Sequence, residues 1–184
     1  MTLPHTLTEP LRTARLTLRP LTAADVDDLH AYQSDPGVCR YLPYEPRSRA
    51  EVAEKVAQWS TALTLAGEGD YWILALERAG LVIGDLYFAL KADAGADIGW
   101  VLHPAHSGHG YMTEAARAIL DLAFGELTRH RVRAVLDPRN KASAALCRRL
   151  GMRQEAHFVE DLWFKGEWGD TAIYAILDRE WAGR

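Results

Sequence analysis

The residues best suited to binding chemistry lie in one stretch, His103-Pro104-Ala105-His106-Ser107-Gly108-His109-Gly110-Tyr111-Met112-Thr113-Glu114-Ala115-Ala116. It follows a strand-like run ending at Trp100-Val101-Leu102 and leads into an apolar periodic run from Ala115 to Leu127. A strand, a short glycine turn and a helix leave several backbone N–H groups free at the helix N-terminus. Those groups carry the positive end of the helix dipole and suit an anion, most often a phosphate. Pro104 ends the strand, while Gly108 and Gly110 permit φ > 0 and close approach of a ligand to the backbone. The rival reading is an ordinary tight turn. The turn is not a Walker A loop, because no Gly-Lys-Ser/Thr follows. Nor is it a dinucleotide fingerprint, since Thr113 occupies the third glycine position.

A cradle of this kind needs elements on both sides to hold it. Before it, Arg15-Leu16-Thr17-Leu18-Arg19 alternates as a strand ending at Pro20, and Thr22 with Asp25 opens a helix carrying Val26, Leu29 and His30 and closing at Tyr32. Asp35-Pro36-Gly37 is a turn, and the irregular run from Cys39 to Pro46 places Tyr41 and Tyr44 as candidate pocket walls. Ser48 and Glu51 form a capping box for a helix with Val52, Val56, Trp59 and Leu63 at helical spacing, stopped by Gly67. Three strands follow, Tyr71–Glu77, Leu81–Leu90 and Ala96–Leu102, and should form an antiparallel meander. The first is apolar on both faces and therefore central, and Gly84 marks a bulge in the second.

After the cradle, Ala115, Ile119, Leu122, Ala123 and Phe124 build a buried helical stripe, and Arg131–Leu136 is a strand. Asn140 is a good N-cap for a helix from Lys141 to Leu150, with Gly151 as its stop. A strand from Gln154 to Phe164, a turn over Lys165–Gly169 and a strand from Thr171 to Leu177 close the chain. The expected fold is α+β: about seven strands in a mixed, mostly antiparallel sheet, about four helices, and a single domain over 1–184.

Composition narrows the partners. The 184 residues are enough for one domain burying roughly 70% of its unfolded surface. A net charge of -4 gives no basic footprint for nucleic acid. No apolar run approaches a membrane span and no signal peptide is read at the N-terminus. The two cysteines, Cys39 and Cys147, form no CxxC and suit a reducing, cytoplasmic setting. His103, His106 and His109 straddle a glycine turn instead of sharing a helix face, so no metal site is expected.

The cradle resembles the acetyl-CoA loop of the GCN5-related N-acetyltransferases (GNAT), Gln/Arg-x-x-Gly-x-Gly/Ala, with Gly110 at the central glycine. Ser107 stands where Gln or Arg is usual and Met112 where Gly or Ala is usual. The longer string Ser-Gly-His-Gly-Tyr-Met-Thr-Glu-Ala is similar to the ribosomal-protein N-terminal acetyltransferase (RimJ/RimL-type) branch. So are Thr13–Leu21, Asp97–Leu102, Asn140-Lys141-Ala142-Ser143, Leu150-Gly151-Met152, and the closing runs Gly166-Glu167-Trp168-Gly169-Asp170 and Tyr174-Ala175-Ile176-Leu177, in the same order.

The resemblance implies a splay between the fourth and fifth strands and an acetyl group passing from acetyl-CoA directly to a primary amine. Pyrophosphate is expected on the backbone N–H groups of Gly108, His109, Gly110, Tyr111, Met112 and Thr113, and His109 and Arg148 or Arg149 are candidates for added positive charge whose direction the sequence does not give. Pantetheine contacts fall to Trp100, Val101, Leu102 and Asn140, and proton donation to the departing thiolate falls to Ser143. Asn140 and Ser143 also have plain structural readings as an N-cap and a polar first-turn residue. For the base the candidates are Asp97, then Glu160 and Asp161, with a water-mediated path beside them. The acceptor is either a protein N-terminus or a small-molecule amine. An exposed closing hairpin leaves room for a homodimer. Two other readings stand: a non-catalytic acyl-CoA-binding or sensing module on the same fold, and a nucleotide-phosphate enzyme using the same loop.

Overall fold

The computed structural model describes residues 3–183. In chain order its elements are β1 (His5–Thr6), β2 (Leu11–Arg12), β3 (Thr17–Pro20), α1 (Val26–Gln33), α2 (Pro36–Cys39), α3 (Arg49–Trp59), β4 (Thr64–Leu65), β5 (Tyr71–Arg78), β6 (Leu81–Leu90) and β7 (Gly95–Leu102). They continue as α4 (Tyr111–Gly125), β8 (Arg131–Leu136), α5 (Lys141–Arg149), β9 (Arg153–Phe164), β10 (Glu167–Leu177) and α6 (Asp178–Trp181). Eight strands form one sheet in the order β2-β3-β5-β6-β7-β8-β10-β9. Every neighbouring pair is antiparallel except β7 with β8. The N-terminal arm is more ordered than its composition suggests: β1 pairs with β4, and β2 extends the main sheet beside β3.

Both faces of the sheet are covered, as expected of a central strand like β5. Trp72, Leu74 and Leu76 pack with Ile119, Leu120 and Leu146 on the α4–α5 face. Ala75 packs with Leu29, Tyr32, Val52 and Val56 on the α1–α3 face. The Ser48–Glu51 capping box forms, but α3 ends at Trp59, so Leu63 lies outside it. The chain there turns to pair with β1, a contact that helical spacing cannot reveal. The closing hairpin is also tighter than expected. Lys165 and Gly166, both at positive φ, make a two-residue turn, and residues 167–169 belong to β10. Among the described residues no helix is long and apolar enough to cross a membrane.

The feature that positions the site is the short contact between β7 and β8. Gly95, Ala96 and Asp97 pair with Arg131, Val132 and Arg133, and there the pairing stops. Beyond it, β8 stays with β10 through Ala134–Leu136, and β7 stays with β6 through Ile98–Leu102. A bulge sits at Ile83, beside Gly84. A Cβ on Gly84 would lie 2.5 Å from the Val101 carbonyl oxygen, so only glycine lets β6 press this closely on the end of β7. The free edge of residues 98–102 therefore faces a gap, not a neighbouring strand.

Candidate active site

The gap opens into a cavity of about 1070 Å³. Gly108, Gly110, Tyr111, Met112 and Thr113 line one end, Trp100–Leu102, Asn140 and Ser143 the middle, and Asp35, Gly37, Val38, Tyr41 and Leu42 the other end. Gly108 and Gly110 take φ of +82° and +78°, and Gly110 starts α4 with no side-chain cap. The first helical bond runs from Glu114 N–H to the Gly110 carbonyl at 3.0 Å, so the N–H groups of Tyr111, Met112 and Thr113 precede the ladder and face the cavity end. Arg117 and Arg149 also line it, and Arg149 Nε donates to Thr113 Oγ1 at 3.3 Å.

Glu114 belongs to the first turn of α4 but does not oppose an anion there. Its Oε1 accepts from Thr13 Oγ1 at 2.5 Å and from Arg15 N–H at 2.8 Å, and its Oε2 accepts from Arg15 Nε at 2.6 Å. Burial works against its ionisation, but these bonds outweigh burial and hold the carboxyl below its usual range. The same arginine donates to the His109 carbonyl at 3.0 Å and lies over the Tyr111 ring, so the N-terminal arm braces the glycine turn.

Across the gap, α5 begins beside the free edge of β7. Asn140 caps it, its Oδ1 accepting from Ser143 N–H at 3.1 Å. Ser143 Oγ in turn accepts from the Trp100 indole Nε1 at 3.2 Å. Strand and helix are thus joined by a side-chain bond where the backbone ladder is missing.

The far end of the cavity hangs from one buried residue. Gln33 Nε2 donates to Asp85 Oδ2 at 3.2 Å, its Oε1 accepts from Arg47 at 2.7 Å, and its carbonyl accepts from Arg47 N–H and from Cys39 Sγ. Tyr32 donates to the same Asp85 oxygen at 2.7 Å. Burial pushes the Asp85 carboxyl up to about 6 despite the bonds from Tyr32 and Gln33 and the nearby Arg47 charge. Above, Lys165 at the hairpin tip donates to the carbonyls of Cys39 and Tyr44, each at 2.7 Å. The loop carrying Val38, Tyr41 and Leu42 is therefore tied from both sides.

The cavity collects Trp100, Val101, Leu102, Gly108, Gly110, Tyr111, Met112, Thr113, Asn140 and Ser143 from the residues singled out in the sequence. His109 stands just outside, stacked on Tyr111 with ring centroids 5.5 Å apart. Arg149 is at the anion end, whereas Arg148 donates to the Tyr174 hydroxyl. Asp97 is elsewhere. It occupies the last position of β7 that pairs with β8, with Arg133 Nε 2.5 Å and Lys91 Nζ 3.3 Å from its carboxylate oxygens. Glu160 and Asp161 are exposed on the outer strand, where Glu160 N–H donates to Asp170 in an irregular stretch. The His103 and His106 rings meet edge to face with centroids 5.5 Å apart, while His103 Nδ1 accepts from Ala105 N–H and His109 stacks on Tyr111 instead.

Several lining residues were missed, among them Arg117, Asp35, Gly37, Val38, Leu42 and Leu146. Arg117 follows Thr113 by one helical turn, which was a usable signal. Asp35 and Val38 reach the cavity only through the folded turn, and nothing local announces them.

Residues 15–153 match the family model described as "Acetyltransferase (GNAT) domain". An uncharacterized N-acetyltransferase, p20, of Bacillus licheniformis is 31% identical over 177 residues, covering 95% of this chain and 99% of its own. Spermidine N(1)-acetyltransferase of Escherichia coli is 23% identical, with 89% and 87% coverage. Among solved structures, a GNAT-family acetyltransferase from Bacillus anthracis superposes with a TM-score of 0.83 at 28% identity, over 94% of this chain and 100% of that one. The chain belongs to the GNAT acetyltransferases, enzymes that pass an acyl group to an amine.

Proposed function

We propose that this single-domain, cytoplasmic enzyme transfers the acetyl group of acetyl-CoA to a primary amine by direct attack, in the manner of the RimJ/RimL-type branch. The observation that carries the reading is the joining of two features in one cavity. The uncapped N-terminus of α4 suits pyrophosphate, and the free edge of residues 98–102 offers N–H and carbonyl groups to the amide-bearing pantetheine arm. Arg117 and Arg149 add positive charge at the phosphate end. Asn140 meets the arm, and Ser143 protonates the sulfur as the C–S bond breaks.

For the amine proton we propose release to water through the open mouth. Asp97 is held in ion pairs at the closed end of the gap, and Glu160 is on the outer strand. A purely binding role is disfavoured because Ser143 lines the cavity.

The acceptor end is formed by Gly37, Val38, Tyr41 and Leu42 with one carboxylate, Asp35. An end with so few acids suits an amine carried on an uncharged or apolar body, such as a peptide N-terminus, better than a polycation. The exposed side chains of Phe158, Leu162, Trp163 and Trp168 on the closing hairpin support a homodimer, which sedimentation would detect.

Titration calorimetry with acetyl-CoA and a thiol-release screen over N-terminal peptides, spermidine and aminoglycosides test the reading. Acetyl-CoA binding with turnover of a peptide is the expected result. Tight ATP binding without acetyl-CoA binding would overturn it. Turnover confined to spermidine would overturn the acceptor class alone.

A further inference from the structure

The Trp100 side chain has no part in the reading above, which uses only its backbone. Trp100 lies on the half of β7 that pairs with β6 but no longer with β8, and its indole spans the gap to Ser143 at 3.2 Å. An indole N–H can only donate, so the serine oxygen is the acceptor and its own hydroxyl proton is left to donate elsewhere. Ser143 N–H is already committed to Asn140 Oδ1. The Ser143 backbone is therefore fixed by the Asn140 cap and its hydroxyl by the indole, and both Trp100 and Ser143 line the cavity.

We propose that Trp100 is a positioning residue that holds and polarises the Ser143 hydroxyl for proton transfer to the leaving sulfur. The inference rests on the proposed role of Ser143. As the C–S bond breaks, its electron pair goes to sulfur. The Ser143 O–H bond breaks, an S–H bond forms, and negative charge develops on Oγ until water returns a proton. The indole proton stays on its nitrogen throughout. A hydrogen bond to an oxygen gaining charge is stronger than one to a neutral hydroxyl, so Trp100 assists more at the transition state than in the ground state. Being fixed by the fold, it needs no reorganisation to do so.

The test is a double-mutant cycle on Trp100→Phe and Ser143→Ala, following thiol release from acetyl-CoA with the peptide or amine that the wild-type enzyme turns over. Trp100→Phe should lower kcat roughly tenfold while the KM for acetyl-CoA changes little, because a smaller aromatic ring still fills the position and the donor is gone. In the Ser143→Ala background the same change should cost nothing further. An equal loss in both backgrounds would make Trp100 a packing residue and overturn the inference while leaving Ser143 in place. Full kcat in Trp100→Phe would do the same. Unchanged turnover in Ser143→Ala would instead remove the serine from the mechanism, and the inference with it. If Trp100→Phe does not fold, benzothienylalanine at position 100 keeps the shape of tryptophan without its N–H and should give the same loss.

Discussion

The two ends of the cavity are built by different means. The anion end is contiguous in sequence and uses backbone: glycines at positive φ and the first N–H groups of α4. The other end is lined by residues 35–42, a run with no regular cradle of its own, and is held in place by side chains from distant parts: Asp85 on β6, Gln33 at the end of α1, Arg47 before α3 and Lys165 at the hairpin tip. On the proposed function, backbone donors set by the helix serve the phosphates, which are the same in every turnover, and side chains that can be exchanged without disturbing a helix serve the acceptor. The anion end should therefore fail abruptly when altered, and the acceptor end by degrees.

The largest effect expected is at the anion end. Gly110→Glu places a side chain at φ +78° and a negative charge beside the phosphate site. Affinity for acetyl-CoA should fall roughly a hundredfold or more, read by calorimetry, with the fold retained by circular dichroism. Undiminished binding would show that the phosphates sit elsewhere.

The second prediction concerns the hub. The Asp85 carboxyl stands at about 6 in the folded chain, above its ordinary value near 4. Between those values the folded state keeps a proton that the unfolded state releases, so stability falls as pH rises through that window and levels off above it. Asn at this position can still accept from Tyr32 and Gln33 and carries no charge. Asp85→Asn should raise stability on the order of 2 kcal/mol at pH 8, with the gain vanishing near pH 4, measured by denaturant unfolding at both values. A loss of stability at pH 8 would mean that the Arg47 charge matters more than burial.

The third prediction separates the ends kinetically. Tyr41→Ala should raise the KM for the acceptor roughly tenfold and leave the KM for acetyl-CoA unchanged. A change in both would mean that the two ends are one site. The smallest effect expected is at Asp97, which lies outside both ends. Asp97→Asn should keep kcat within about threefold, because its ion pairs are already compensated at the closed end of the gap. A hundredfold fall in kcat would return it to the chemistry as base.

The same contrast explains what could be read before the fold was known. Gly108, Gly110 and the run into α4 are neighbours in sequence, so local rules reach them. Asn140 and Ser143 are three residues apart, the spacing of an N-cap bond. The longer strands were legible from their apolar patterning and turn signals, and β6 and β8 have the boundaries expected, whereas the two-residue strands β1, β2 and β4 were not read. What escaped were contacts set by topology. Arg15 meets Glu114 across 99 residues, and Lys165 meets Cys39 across 126. Asp97 had the right residue type and the right strand, but its fate is decided by Arg133 on β8. Asp85 gave no signal at all, since a single acid in an apolar strand can equally well face water.

The short pairing of β7 with β8 has a mechanical consequence. Among the described residues, the backbone bonding that stitches the two halves of the sheet together is confined to residues 94–97 and 130–133. The molecule is in effect two plates sharing a narrow seam, with the Trp100–Ser143 contact and the Lys165 tie as its clasps. A ligand lying along the free edge supplies the ladder partner that β7 lacks. Filling the gap therefore stiffens the whole sheet, and amide exchange at Ile98–Leu102 should slow on binding far more than exchange in β5.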